Sequence, residues 1–135
     1  LALAIGTASL VGFSSCTKEY NTYEIQPGIS FYEPLSSDDW TRDSENPKFY
    51  SVEISVPELN DAYYEDGTVD VSIQFEDAKG EFHNIPAEYL RNHSYKASYA
   101  VGKVYIDSEY VGSGGSTPPP AMRVKIAITL TEIGN

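Results

Sequence analysis

The side chains with chemistry to offer in this 135-residue chain are two histidines, 20 carboxylates and eleven tyrosines, with a single tryptophan and a single cysteine. Nucleophilic catalysis needs a hydroxyl or thiol within reach of a base that a third group orients. No Gly-x-Ser-x-Gly elbow surrounds any serine. His83 falls in a strand-like stretch and His93 in a loop-like one, so both read as surface or edge residues. Ten residues apart and without a neighbouring cysteine, they have no transition-metal spacing. The carboxylates gather at Asp61, Glu65, Asp66 and Asp70, and again at Glu76, Asp77 and Glu81. Neither group has the twelve-residue loop pattern of a calcium site, and solvated turns are the expectation. The run Gly112 to Gly115 lacks the Lys-Ser/Thr and helix start of a phosphate loop. We therefore expect no cofactor, no metal and no catalysis.

The aromatic residues carry the other candidate chemistry. Trp40 follows Asp38 and Asp39, and Tyr63 and Tyr64 lie among acids. Aromatic planes beside carboxylates are the mixture that carbohydrate-binding faces use, so Trp40, Tyr63 and Tyr64 are the candidate ligand-binding residues. For Trp40 the preferred reading is a core anchor. For Tyr63 and Tyr64 it is one buried ring and one exposed ring.

Cys16 has a different context. Residues 1–15 are uncharged and mostly apolar or small, and composition changes abruptly after the cysteine to Thr17-Lys18-Glu19-Tyr20. The run is too short for a spanning helix and suits the apolar part of a signal peptide. The basic segment that normally precedes such a run is missing, so we expect a few residues ahead of Leu1. Phe13-Ser14-Ser15 before Cys16 resembles a lipobox, with Phe13 where leucine is usual. The expectation is a lipoprotein signal peptide over 1–15, with an acylated Cys16 and a polar tether over 16–27. Several acyl chains on one cysteine give a stable membrane anchor where one would be marginal. No Asp follows Cys16 directly, so an outer-membrane lipoprotein is expected. Lys18-Glu19 leaves the periplasmic and surface faces both open.

The remaining stretch, 28–135, is the size of one domain. Alternation is clean in three places: Tyr50, Val52, Ile54, Val56; Val69, Val71, Ile73, Phe75; and Met122, Val124, Ile126, Ile128, Leu130. Period-two patterning of this kind marks strands with one buried face, and these three are the expected core strands. A first strand over Ile29 to Glu33 should end at Pro34 or be an edge there. Glu58 to Glu65 reads as a helical turn, Phe82 to Ile85 as a strand, and Ala87 to Asn92 as a short helical or irregular crossover. Tyr95, Ala97, Tyr99 and Val101 alternate. Gly102 then makes a tight turn or a bulge before Val104 and Ile106, and we favour the turn. Gly112 to Pro120 reads as a mobile polar loop. Seven or eight short strands separated by turn signals predict an all-β fold, a two-sheet antiparallel sandwich that is immunoglobulin-like by analogy only.

Formal net charge is −11, all of it outside the leader. An acidic domain repels nucleic acid, which needs clustered lysine and arginine. Asp39-Trp40, Val56-Pro57-Glu58-Leu59, Tyr64 to Val69, Ile85-Pro86, the Gly102-centred strands and Met122 to Ile126 together resemble short bacterial envelope lipoproteins with a single small β-domain. The resemblance spans roughly residues 40–130. It implies an envelope protein of unestablished activity and supplies no functional residues. The combined expectation is a non-catalytic binding or accessory module, held to the membrane by lipid on Cys16, with a protein or glycan partner. A glycan-binding surface using exposed Trp and Tyr is the alternative, and a small hydrolase the remote one. A row of coplanar exposed aromatics would favour glycan; a bare sheet edge would favour strand addition by a protein.

Overall fold

A computed structural model describes residues 28–130. The expectations for the leader, for Cys16 and for the tether lie outside the described residues. Among the described residues nine strands form two antiparallel sheets, an all-β sandwich as the alternation predicts. In the four-stranded sheet the order is β1 (Ile29–Leu35), β9 (Met122–Leu130), β4 (Gly67–Phe75), β5 (His83–Asn84). In the five-stranded sheet it is β2 (Thr41–Arg42), β3 (Phe49–Ser55), β8 (Lys103–Tyr110), β7 (His93–Ala100), β6 (Ala87–Leu90).

The three alternating stretches become β3, β4 and β9, with their apolar sets turned into one core. Met122, Val124, Ile126 and Ile128 are completely buried, and across the sandwich so are Val104 and Ile106 of β8. Each side chain of this size contributes roughly 1.5–3 kcal/mol by leaving water. β9 can bury its whole apolar face because it lies between β1 and β4, with Ile126 opposite both Phe31 and Val71. Strand β1 runs through Pro34 to Leu35. It is an edge strand, and a proline there costs no bond to a further neighbour.

One short helix, α1 (Asp61–Asp66), precedes β4, with the Asn60 side chain accepting from the Tyr63 N–H at 3.2 Å. It closes against the four-stranded sheet at Gly67, where a Cβ would overlap the carbonyl oxygens of Thr129 and Tyr63. β7 and β8 form a hairpin closed by Val101-Gly102, with Gly102 at φ +80°. This is the turn favoured from sequence, and the positive φ explains the glycine.

Three expectations are corrected. Residues 87–92 are neither helical nor an irregular crossover. Ala87–Leu90 pairs with β7, and Arg91 and Asn92 turn the chain with φ of 52° and 70°. Two consecutive positive φ values give the two-residue turn whose twist matches a hairpin, and Asn is one of the residues that tolerate it. His93 is not in a loop or at the surface. It opens β7 and is 1% exposed. The segment Gly112 to Pro120 is a loop between β8 and β9, but it is tied down. Thr117 O meets His93 Nε2 at 2.7 Å, Ser116 Oγ donates to Pro47 O at 2.7 Å, and Ser37 Oγ donates to Pro119 O at 2.7 Å, with Pro119 fully buried. The loop is exposed over most of its length, as its polar composition predicts, but two of its carbonyls meet His93 and Ser37, and its Ser116 hydroxyl donates to a third distant segment at Pro47.

Candidate binding groove

The sandwich is laced differently along its two flanks. On one, the chain passes from β1 to β2 through a 3-10 turn, Ser37–Asp39, in which the Ser36 N–H donates to Asp39 Oδ2 at 2.8 Å. Trp40 follows directly and drops into the core, 7% exposed, its ring 6.3 Å from that of Tyr95. On the other flank the chain passes from β5 to β6 through Ile85-Pro86, and both of these strands are short.

That shortness opens the molecule. β5 pairs with β4 only at Ser72 and Ile73, and the Ile85 N–H reaches Val71 O at 3.1 Å. From there back to Gly67, β4 has no strand on that side among the described residues. β6 pairs with β7 only at Tyr95 and His93, so Lys96 to Ala100 are likewise unpaired on their outer side. Between the two bare edges runs a groove of about 900 Å³ lined by Val69, Val71, Ile85, Pro86, Ala97 and Tyr99. Asp70, Lys125 and Phe82 form its rim on the outer face of the four-stranded sheet, where Lys125 Nζ lies 4.6 Å from the centre of the Phe82 ring.

Side-chain burial shows the same opening. Position by position on the inner face of β7, His93 and Tyr95 are buried, whereas Ala97 is exposed and Tyr99 is 36% exposed. Their partners on β8, Ile106 opposite Ala97 and Val104 opposite Tyr99, are completely buried. The core is thus intact behind β7 and uncovered in front of it.

None of the candidate ligand-binding residues lines this groove, but one touches a residue that does. Tyr63 and Tyr64 are successive helical residues, about 100° apart around α1, so one turns inward and the other outward. Tyr63 is 5% exposed and in the core; Tyr64 is 43% exposed and meets Tyr99 edge-on, at 6.0 Å and 80°. The structure therefore sets Tyr64 against Tyr99 of the groove and leaves Trp40 and Tyr63 in the core. Tyr99, Ala97 and Val69 are the groove residues that sequence reasoning missed. They alternate like core residues, and local pattern carries no sign that their cover stops.

The acidic clusters and histidines are placed elsewhere. Asp77 pairs with Arg91, Oδ1 to Nη2 at 2.8 Å, and this hydrogen bond holds the carboxyl below its ordinary range. Arg91 also lies over the Phe75 ring at 4.6 Å, and Glu76 pairs with Lys79 at 3.3 Å. Asp61, Glu65, Asp66 and Asp70 are exposed along α1 and the start of β4. Among the described residues, no group of three His, Cys, Asp or Glu side chains is arranged to hold a metal. His83 lies on β5 against Phe75, with Glu81 at 3.8 Å. His93 is enclosed by the rings of Tyr50, Tyr95 and Tyr110, its Nδ1 2.9 Å from Arg91 O. Asp70 is the one carboxylate lining the groove, and no histidine lines it.

Comparison of the chain with protein-family models, with curated proteins and with solved structures returns no match.

Proposed function

We propose that this protein is a bacterial envelope lipoprotein whose sandwich domain is a non-catalytic binding module, anchored through acyl chains on Cys16. The anchoring half rests on the sequence: an uncharged apolar leader, small residues before a lone cysteine, and a polar stretch leading to the domain at Gly28. The observation that carries the binding half is the groove, a concavity of about 900 Å³ bordered by two unpaired strand edges, its lining mostly apolar with Asp70, Ser72, Asn84, Ser98 and Lys125 among it, and with the exposed ring of Tyr99 meeting Tyr64 beside it. Apolar concave surfaces with a few polar groups at the rim are the usual form of a ligand site.

A protein partner has more support than a glycan. Sugars stack on flat aromatic platforms, and Tyr64 and Tyr99 stand nearly perpendicular, at 80°. Tyr32 and Phe82, on the outer face of the four-stranded sheet, are tilted by 44° and share the Arg123 guanidinium, 4.4 Å from one ring centre and 5.5 Å from the other. A hydrolase would need an acid–base pair at the concavity, where Asp70 stands without a second carboxylate or histidine.

The anchor is tested by growing cells on labelled palmitate and comparing the natural protein with Cys16→Ala. We expect label and membrane association in the first and loss of both in the second. Label that persists in the variant refutes the anchor.

A further inference from the structure

We propose that the bare edge of β7, over Lys96 to Ala100, takes up an extended polypeptide segment of about five residues carrying basic side chains, which completes the five-stranded sheet and fills the groove. The proposal rests on the reading of the domain as a binding module and names its partner chemistry.

Backbone direction comes first. Successive residues of a strand present their N–H and C=O groups to opposite sides. The Val111 N–H donates to Asn92 O, and a two-residue turn closes the hairpin at the Ala100–Lys103 pair, so even-numbered β7 residues bond to β8. Odd-numbered ones point away from it. At Tyr95 that outward direction is occupied by Ala87 of β6; at Ala97 and Tyr99 it meets no strand among the described residues. A row of unpaired main-chain donors and acceptors is a template for strand addition.

Side chains point to the same occupant. The inner face of β7 loses its cover where β6 begins, at Ala87. A segment continuing the line of β6 along β7 would place alternate side chains over Ala97 and Tyr99 and toward Val69 and Val71. Those alternate positions call for apolar residues. The others face the solvent side, and there charge decides. On that face of β7, Glu88, Asp107 and Glu109 surround a shallow concavity together with Lys96, and the chain as a whole carries −11. Lys96, the cation among them, stands opposite Asp107 of β8, which offsets it, and Lys125 is engaged over the Phe82 ring. A basic segment is attracted to this edge, while a second copy of the chain, equally acidic, is repelled.

The test uses a phage-displayed library of random twelve-residue peptides, selected on the purified full chain and in parallel on Ala97→Pro. Proline at position 97 removes only an N–H that points at the bare side, so β7 keeps its bonds to β8. We expect sequences that alternate apolar with Lys, Arg or Thr residues to be enriched at least tenfold on the natural protein over the variant. A selected peptide N-methylated at alternate positions should bind at least tenfold more weakly to the natural protein, a readout that stands even if the proline variant does not fold. No enrichment, equal enrichment on both proteins, or enrichment of acidic sequences overturns the proposal. So does a concentration-dependent dimer that Ala97→Pro abolishes, since the occupant would then be a second copy. Palmitate labelling is indifferent to all of these outcomes, so the anchor stands or falls separately, and equal enrichment on both proteins leaves the binding-module reading in place while removing the edge of β7 from it.

Discussion

Along the inner face of β7, His93 and Tyr95 are sealed in, while Ala97 and Tyr99, next in the same row, lie open to the groove. Strand geometry is continuous through the four positions, and all are backed by the same neighbour, β8. The difference is on the other side. The first half has β6 beside it, and His93 contacts the loop that ends in the buried Pro119. The second half has no strand beside it among the described residues. Burial in a sandwich is thus a property of the neighbours a residue is given, and half a strand can be core while the other half is interface. The opposite edge of the molecule shows what a guarded edge looks like: β1 carries Pro34 and an exposed Glu33, two devices that discourage pairing. The second half of β7 has no proline.

The contrast can be broken at its strongest point by truncating equivalent rings in the two halves. Tyr95→Ala empties a fully enclosed site and should cost about 3–5 kcal/mol of stability, read from denaturant unfolding. Tyr99→Ala, which loses an exposed ring and its edge contact with Tyr64, should cost about 1 kcal/mol. Similar losses at the two positions would mean that the groove is covered in solution.

Proline placed at neighbouring positions sharpens the same contrast through the backbone. Ser98 directs its N–H to β8, so Ser98→Pro should cost about 1–3 kcal/mol by leaving a ladder acceptor unpaired. Ala97→Pro should leave the unfolding midpoint within a few degrees. Reversal of that order would show that the bare side of β7 has been assigned to the wrong residues.

The smallest effect concerns the Tyr95 hydroxyl, which is buried without a hydrogen-bond partner. Burial holds this phenol neutral well above its ordinary value of 10.0, against a weaker opposing influence from Arg91. A group that gives up its proton more readily unfolded than folded favours folding fully below its unfolded pKa, and that contribution falls as pH rises toward the folded one. Stability should therefore decline above about pH 10. Tyr95→Phe should be close to neutral at pH 7 and should flatten the alkaline decline. An unchanged alkaline profile in the variant would assign that decline to other groups.

Read without its structure, the chain determines its strands wherever one face is apolar over several alternations. Met122 to Leu130, Val69 to Phe75 and Tyr50 to Val56 are legible because period two is a local property of residues pointing to opposite faces. The identity of Tyr63 and Tyr64 as one inward and one outward ring is legible for the same kind of reason. Only the tertiary structure decides what depends on partners far along the chain. Ala87 to Leu90 becomes a strand because β7 offers it an edge, and the Gly112 to Pro120 loop is held because His93, Ser37 and Pro47 meet it. Trp40 reads as a core anchor from sequence, but only the fold shows that the ring it packs beside is Tyr95. The groove is the clearest case: Ala97 and Tyr99 alternate as core residues do, and they are exposed because β6 has four residues rather than eight or nine. Periodicity states which face a side chain takes; how far the next strand runs states whether that face is dry.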